Sequence, residues 1–423
     1  MGLGKFWPVE GRWGRDSFLP VLALAIVVRI AWVLAVPVHP VSDSHVYDVL
    51  ARNLANGFGY CFIPGRPTAL WAVGTPFIYS IFYRIFGPNY QPIVVFNLVL
   101  SLATIWISML LAERWFDRRV AIVAGYFFAC WPVLIEFTSC LASELIFNFL
   151  IVALLLLWDS PRLNPWLRAI AVGLLAGAAV YVRPVALFIP AILGVLSSVR
   201  AFRDRKSYLL PLAMAAVACT LMALTIAPWS LRNKHVFGHV VMMSTNGGGD
   251  WWMGNNPGGP GKEQLIPVDI LRMPEGDRDV HLGNLAKAYI RQYPGRFVIR
   301  TLRKAFWLYD HETIGVHWNL PVLQNTYGIR GVTVLKLVSD LYWWIMLLLG
   351  LSGACLLFAR LRIGAFYDSP LIALWAFFTA FYAMILINDR YHMCCIPPIG
   401  ILAAFAVTGL YQRMRSRAKR QLA

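Results

Sequence analysis

Long apolar stretches alternate with short polar ones from Phe18 to Tyr411. About ten of them approach the length that a helix needs to cross a bilayer. They are Phe18–Val36, Pro92–Leu111, Val120–Ile135, Leu141–Trp158, Leu167–Val182, Val185–Ser198, Tyr208–Pro228, Val332–Ala359, Pro370–Ile387 and Met393–Tyr411. Backbone amides in lipid must be paired within their own segment, so the pattern predicts an all-α polytopic membrane protein. The alternating ten-residue strands of an outer-membrane barrel are absent.

Two long polar stretches interrupt the series, 37–91 and 229–330, and divide the chain into parts 1–228, 229–330 and 331–423. Behind Asp43 the first stretch has helical period. Val46, Val49, Leu50 and Leu54 fall on one side, and His45, Asp48, Arg52 and Asn56 on the other. Gly57 stands where a C-cap glycine belongs. This predicts an amphipathic helix on the membrane surface with Asp43 at its start. In the second stretch, Asn246–Gly261 is rich in Gly, Asn, Pro and Trp and reads as a loop. No strand-to-helix context surrounds its glycines, so it is not a dinucleotide or nucleotide phosphate cradle. His281–Tyr309 shows helical period, with Arg291, Arg296, Arg300, Arg303 and Lys304 making it basic. It reads either as a membrane-surface helix against lipid phosphates or as a solvated face that snorkels at the interface.

Composition strengthens the membrane reading. The 423 residues are 59% hydrophobic and only 14% charged, with mean hydropathy +0.60; large soluble enzymes are excluded. The net charge of +17 fits cytoplasmic-loop bias and anionic headgroups, and no nucleic-acid-binding motif accompanies it. Most of the seven cysteines lie in apolar stretches (Cys130, Cys219, Cys355, Cys394-Cys395), so no disulfide framework is expected. Charge also orients the chain. Lys5, Arg12 and Arg15, then Arg114, Arg118 and Arg119, Arg162 and Arg168, Arg200, Arg203, Arg205 and Lys206, Arg360 and Arg362, and the tail Arg413, Arg415, Arg417, Lys419 and Arg420 all fall on one side if both termini are cytoplasmic. The first span lacks a convincing small-residue cleavage site and reads as an uncleaved anchor.

With that topology the unusual polar residues converge on the outer face: Asp43, Glu136, Ser143-Glu144, Arg183, Arg232, Lys234 and Asp389-Arg390-Tyr391. Ionisable groups at such depths are functional candidates. Arg183, Arg232, Lys234 and Arg390 are suited to neutralising a phosphate at membrane level. Asp43 is suited to taking a proton from an attacking hydroxyl or amine. Each has a plainer reading: Asp43 as the N-cap of its helix, Glu144 as the ion-pair partner of an arginine, Arg183 as an interface anchor, and Arg232 and Arg390 as sites for ordinary headgroups. Candidate substrate contacts are His45, Tyr47, Tyr60, Glu144, Asp389 and Tyr391. No cofactor is called for. His45 beside Asp43, and Asp310-His311-Glu312 with His317, offer donors for a divalent metal but no recognisable ligand spacing.

In order along the chain, Ser42-Asp43-Ser44 with Tyr47, Leu54 and Gly57-Phe58-Gly59-Tyr60, Pro67-Thr68-Ala69, Ser143-Glu144, Arg183-Pro184, Pro228-Trp229-Ser230-Leu231-Arg232-Asn233, Gly254-Asn255-Asn256-Pro257 and Asp389-Arg390-Tyr391 before Pro397 resemble the GT-C membrane glycosyltransferases. The similar group is that of the protein-mannosyltransferase and aminoarabinose-transferase-like bacterial proteins. The resemblance implies a GT-C-like bundle with interfacial helices and a polyprenyl-phosphate-linked sugar as donor. It further implies Asp43 as catalytic base, inversion at the anomeric centre, and reaction on the periplasmic or extracellular face of a bacterial inner membrane. Ser44 and His45 follow Asp43 where many members carry a further acid, and the acceptor (glycolipid, polysaccharide or protein) stays open. The alternative is a transporter or flippase of a lipid-linked sugar. A transporter typically places its polar groups near mid-membrane and often shows internal repeats. The clustering at one surface favours transfer.

Overall fold

The computed structural model describes residues 18–421, with side chains described to residue 415. Lys5, Arg12 and Arg15 therefore lie outside the described residues, as do the side chains of Arg417, Lys419 and Arg420. Among the described residues the fold is all-α apart from one small antiparallel hairpin, Cys61–Ile63 with Arg66–Pro67. Among the described residues six helices are long and apolar enough to span a membrane: Gln91–Trp115, Pro165–Val182, Pro184–Arg203, Leu209–Phe237, Leu320–Phe366 and Tyr391–Arg415. A seventh is formed if Arg118–Cys130 and Pro132–Ser139, bent by 60°, are taken as one span. Leu19–Ala35, Glu144–Trp158 and Leu371–Met384 are apolar but shorter, so the ten expected stretches are all helical, six or seven of them of full spanning length and three short.

The helix Ile396–Gln421 lies at the centre. The apolar window of its span buries 89% of its residues, against 28% for Leu209–Phe237 and Leu320–Phe366, whose remaining apolar surface faces outward as a lipid-facing helix requires. Small residues let the helices touch. A Cβ on Gly353 would stand 2.0 Å from the carbonyl oxygen of Leu402, and one on Gly177 would stand 2.6 Å from Thr225. Inside Leu19–Ala35, the buried Arg29 donates to Ser101 Oγ (2.8 Å) and to the carbonyls of Ala129 (2.9 Å) and Phe128 (3.1 Å). Those carbonyls end the helix Arg118–Cys130, so the arginine satisfies groups exposed by the bend at Pro132. Val120–Ile135 is accordingly a bent pair and not one straight span.

Several local expectations are corrected by tertiary contacts. The helix Leu209–Phe237 runs past Pro228, its expected end. Beyond the proline it is tied down by Trp229 Nε1 donating to Met243 O (2.8 Å) and Ser230 Oγ to Met242 O (2.7 Å). The span expected from Val332 is preceded by a helix that begins at Leu320, the two being joined across a kink at Gly328, where φ is +64°. His281–Tyr309 is not one helix but two, Glu275–Gln292 and Pro294–Trp307, because a residue before proline is driven out of the α region. Within Asn246–Gly261 a helix, Gly247–Asn255, replaces the expected loop. Its glycines serve close approach, since a Cβ on Gly248 would lie 1.9 Å from Asp279 O and one on Gly254 1.7 Å from Ile385 O.

Candidate active site

The helix behind Asp43 spans Asp43–Ala55 and ends as expected. Gly57 has φ +81°, and the Gly57 and Phe58 amides donate to Leu54 O (3.2 Å) and Asn53 O (3.0 Å). Its inward face is not the expected one. Tyr47, Asp48, Leu50 and Ala51 are buried, and Asp48 is held by Tyr83 Oη (2.5 Å), Tyr90 Oη (3.1 Å) and Arg52 Nε (2.9 Å). Two tyrosines and an arginine thus satisfy an acid that the pattern assigned to the solvent side. Asp43 opens this helix but does not cap it. Its carboxylate turns away, accepting from Trp71 Nε1 (3.4 Å) and pairing with Arg390. Ser42 before it has φ +50° and ψ −130°, a conformation that costs a non-glycine residue about 1–3 kcal/mol.

Arg390 links Asp43 to a second ion pair. Its Nη1 lies 3.8 Å from Glu144 Oε1, and Glu144 is paired with Arg183. Arg183 also donates through Nε to Ser143 Oγ (3.0 Å) and through Nη1 to Tyr382 Oη (3.4 Å). The chain of charges therefore reads Asp43, Arg390, Glu144, Arg183. Burial acts to lower the Arg390 pKa, but the Asp43 and Glu144 carboxylates outweigh it and hold the guanidinium well above its ordinary value. Among the described residues, Arg390 Nε and Nη1 are buried and make no hydrogen bond.

Asp43 and Arg390 form part of the walls of two cavities. The first, about 310 Å³, is mostly apolar and is also lined by Tyr47, Trp71, Arg183, Tyr382, Tyr391 and Asp250. The second, about 360 Å³, is polar, with Glu263, His311, Thr313, His317, Asn388 and Asp389 in its walls. In the first, the Tyr391 ring stacks on Tyr382 at 4.7 Å, and burial raises the Tyr47 hydroxyl to about 12. Asp250 is pushed up to about 7, chiefly because the cavity wall withdraws it from water, with Arg390 opposing. In the second, His311 sits between Asp310 (2.6 Å) and Asp389 (3.3 Å). The Asp389 bond is the main reason that the imidazole is raised above its ordinary value. Burial acts to raise Asp389, yet His311 holds it below the usual carboxylate range.

The remaining sequence candidates lie elsewhere. Tyr60 donates to Trp71 O (2.9 Å) and packs its ring on Trp229, behind the first cavity. Arg232 donates to Thr68 O (2.9 Å) over the face of Trp229. Lys234 and His45 are exposed, and neither lines either cavity. Glu136 is buried, accepting from Ser339 Oγ (3.0 Å), and lines neither cavity. Among the described residues no three His, Cys, Asp or Glu side chains are grouped to hold a metal ion. Sequence reasoning missed Asp250 and Trp71. The signal for Asp250 was an acid set directly before two tryptophans in Gly247-Gly248-Gly249-Asp250-Trp251-Trp252.

The profile of the family described as dolichyl-phosphate-mannose-protein mannosyltransferase matches residues 72–226. The apo oligosaccharyltransferase of Archaeoglobus fulgidus has a similar structure, with TM-score 0.59 and 13% identity over 97% of this chain and 52% of that one. Its complex with Zn and sulfate gives TM-score 0.56 and 14% identity over 95% and 50%. ArnT from Cupriavidus metallidurans bound to undecaprenyl phosphate matches at TM-score 0.43 and 15% identity, over 92% of this chain and 78% of that one. No curated protein sequence matches. The chain spans about half the length of the oligosaccharyltransferase, and at such identities that likeness is one of fold. The resemblance to GT-C glycosyltransferases read from the ordered motifs is borne out, and the protein is a membrane protein.

Proposed function

We propose that this chain is an integral-membrane glycosyltransferase that moves a sugar from a polyprenyl-phosphate donor to an acceptor hydroxyl or amine. The observation that carries the reading is the position of Asp43, a carboxylate shared by an apolar cavity with two arginines and a polar cavity without a lipid-like lining. The isoprenoid phosphate occupies the apolar cavity. Its phosphate oxygens accept from Arg390 Nε and Nη1, the two donors that make no hydrogen bond among the described residues. Arg183, largely occupied by Glu144 and Ser143, contributes charge and holds Glu144 beside Arg390. As the phosphate draws Arg390 toward itself, the Asp43 carboxylate is freed to act as base.

In the step itself the acceptor atom attacks the anomeric carbon from the face opposite the phosphate, inverting that centre. Asp43 takes the acceptor proton as the new bond forms. The carbon–oxygen bond to phosphate breaks, its electrons remain on the departing polyprenyl phosphate, and Arg390 stabilises the added charge. Tyr47 and Tyr391 shape the donor cavity, and Asp389 with His311 shapes the acceptor side. Arg232 and Lys234 line neither cavity, so in this arrangement their part is with loop structure and headgroups. The site faces the periplasm or exterior of an inner membrane, with both termini cytoplasmic, a reading that the charge alternation supports.

The test is transfer of label from a panel of radiolabelled polyprenyl-phosphate sugars to an envelope extract, with protein in nanodiscs. Asp43→Asn should lose about 10²–10⁴-fold in rate while still binding donor. Equal transfer by wild type and variant would remove Asp43 as base. Movement of donor across a bilayer without transfer would instead support the flippase reading, which the family match disfavours.

A further inference from the structure

The helix Pro294–Trp307 is inside out. Its exposed face carries Val298, Ile299, Leu302 and Phe306, the last 80% exposed, while Lys304 on the opposite face is fully buried. An apolar stripe turned outward beside Arg296 and Arg303 is the pattern of a helix lying in the membrane interface. The lysine needs a separate explanation, because a buried ammonium is costly and this one pairs with no carboxylate among the described residues. It has three hydrogens and finds three oxygens: Gly254 O (3.1 Å), Ile385 O (3.1 Å) and Asn255 Oδ1 (3.3 Å).

Those acceptors belong to two segments that form the proposed site. Gly254 and Asn255 end the helix Gly247–Asn255, whose first turn carries Asp250 into the donor cavity. Ile385 lines the same cavity and leads within five residues to Arg390. The two segments meet backbone to backbone at Gly254, bringing two carbonyl oxygens to one point. Carbonyls that face each other repel, and a cation between them converts the clash into an attachment. A helix C-terminus is also the end that favours positive charge. One turn earlier Arg300 donates to Asn256 O (2.5 Å) and Gly259 O (3.3 Å), so the same helix grips the same segment twice.

We propose that Lys304 is a positioning residue that clasps the Asp250 helix and the segment leading to Arg390 onto the membrane-surface helix Pro294–Trp307. The bilayer then supports the donor cavity from outside, through a helix that touches lipid on one face and the cavity wall on the other. The cavity's role as donor site rests on the proposed function, whereas the clasp does not. Burial, with Arg300 adding to it, lowers the Lys304 ammonium to about 7, in keeping with an enclosed charge that has no anionic partner.

The experiment is amide hydrogen exchange on wild type and Lys304→Met in nanodiscs, alongside donor KM and kcat. Exchange in 247–255 and 385–390 should quicken by about tenfold or more, while 396–411 stays unchanged. Donor KM should rise with kcat little altered. Arg300→Met, which keeps the ammonium, should loosen the same segment to a smaller degree and serves if Lys304→Met does not fold. Unchanged exchange in both segments would overturn the clasp, and so would uniform quickening across all helices, which marks general destabilisation. Local quickening in a protein that transfers no sugar would keep the clasp and remove the enzyme reading.

Discussion

Asp43 and Arg390 neutralise each other at the junction of two cavities, with only 19% and 12% of their side chains exposed. Substituting Arg390 by lysine keeps the charge but removes the planar fork with its two spare donors. Arg390→Lys should therefore lower kcat by about 10²-fold and weaken donor binding, as single-turnover kinetics would read. Asp250 gives the site a pH dependence. Its carboxyl, raised to about 7, is neutral below that pH and anionic above it, beside Arg390, Asp43, Glu263 and Asp279. An added negative charge opposes a phosphate donor, so donor KM should climb as pH rises through about 7, by up to about tenfold per unit. Asp250→Asn should flatten that rise, leaving only what Lys304 contributes as it loses its proton over the same range. If the profile is unchanged in Asp250→Asn, Asp250 does not face the donor. Asp43 was legible because it follows an apolar segment and opens an amphipathic helix. Asp250 was not, because its four neighbouring glycines read as a loop.

Among the elements, the helix Gly247–Asn255 depends most on its surroundings. Glycine is a poor helix former, and four of these nine residues are glycine. The helix forms because those glycines let it lie directly on Glu275–Gln292 and on Ile385. Gly254→Ala places a methyl 1.7 Å from a backbone oxygen that no rotamer can move. It should cost about 2 kcal/mol or more and displace Asp250, with a lower thermal midpoint and a higher donor KM. Gly247, with open space around its Cβ position, is the control, and Gly247→Ala should leave both measurements near wild type. The helix Asp43–Ala55 shows the converse. Its ends were legible from Asp43 and Gly57, but its buried face was not, since Asp48 turns inward to Tyr83 and Tyr90.

For the whole molecule the proposed orientation predicts which side each segment reaches. A reporter fused after Ala423 should be active only if it folds in the cytoplasm, and a tag inserted at Gly258, in open space between the helices Gly247–Asn255 and Glu275–Gln292, should be accessible from outside intact cells. The opposite labelling would invert the proposed topology and with it the compartment of the reaction. The apolar runs alone determined that the chain is an all-helical membrane protein, and the ordered short motifs pointed to the GT-C fold. Hydrophobicity, charge and capping signals are carried by residues close together in the chain, so both could be read from it directly. Which charges meet could not. Asp43 and Arg390 are 347 positions apart, and Lys304 reads as one more basic residue on a surface stripe until its helix is seen with that face turned inward. Pairing and burial of that kind depend on how helices pack, and only the tertiary structure sets the distances at which one charge feels another.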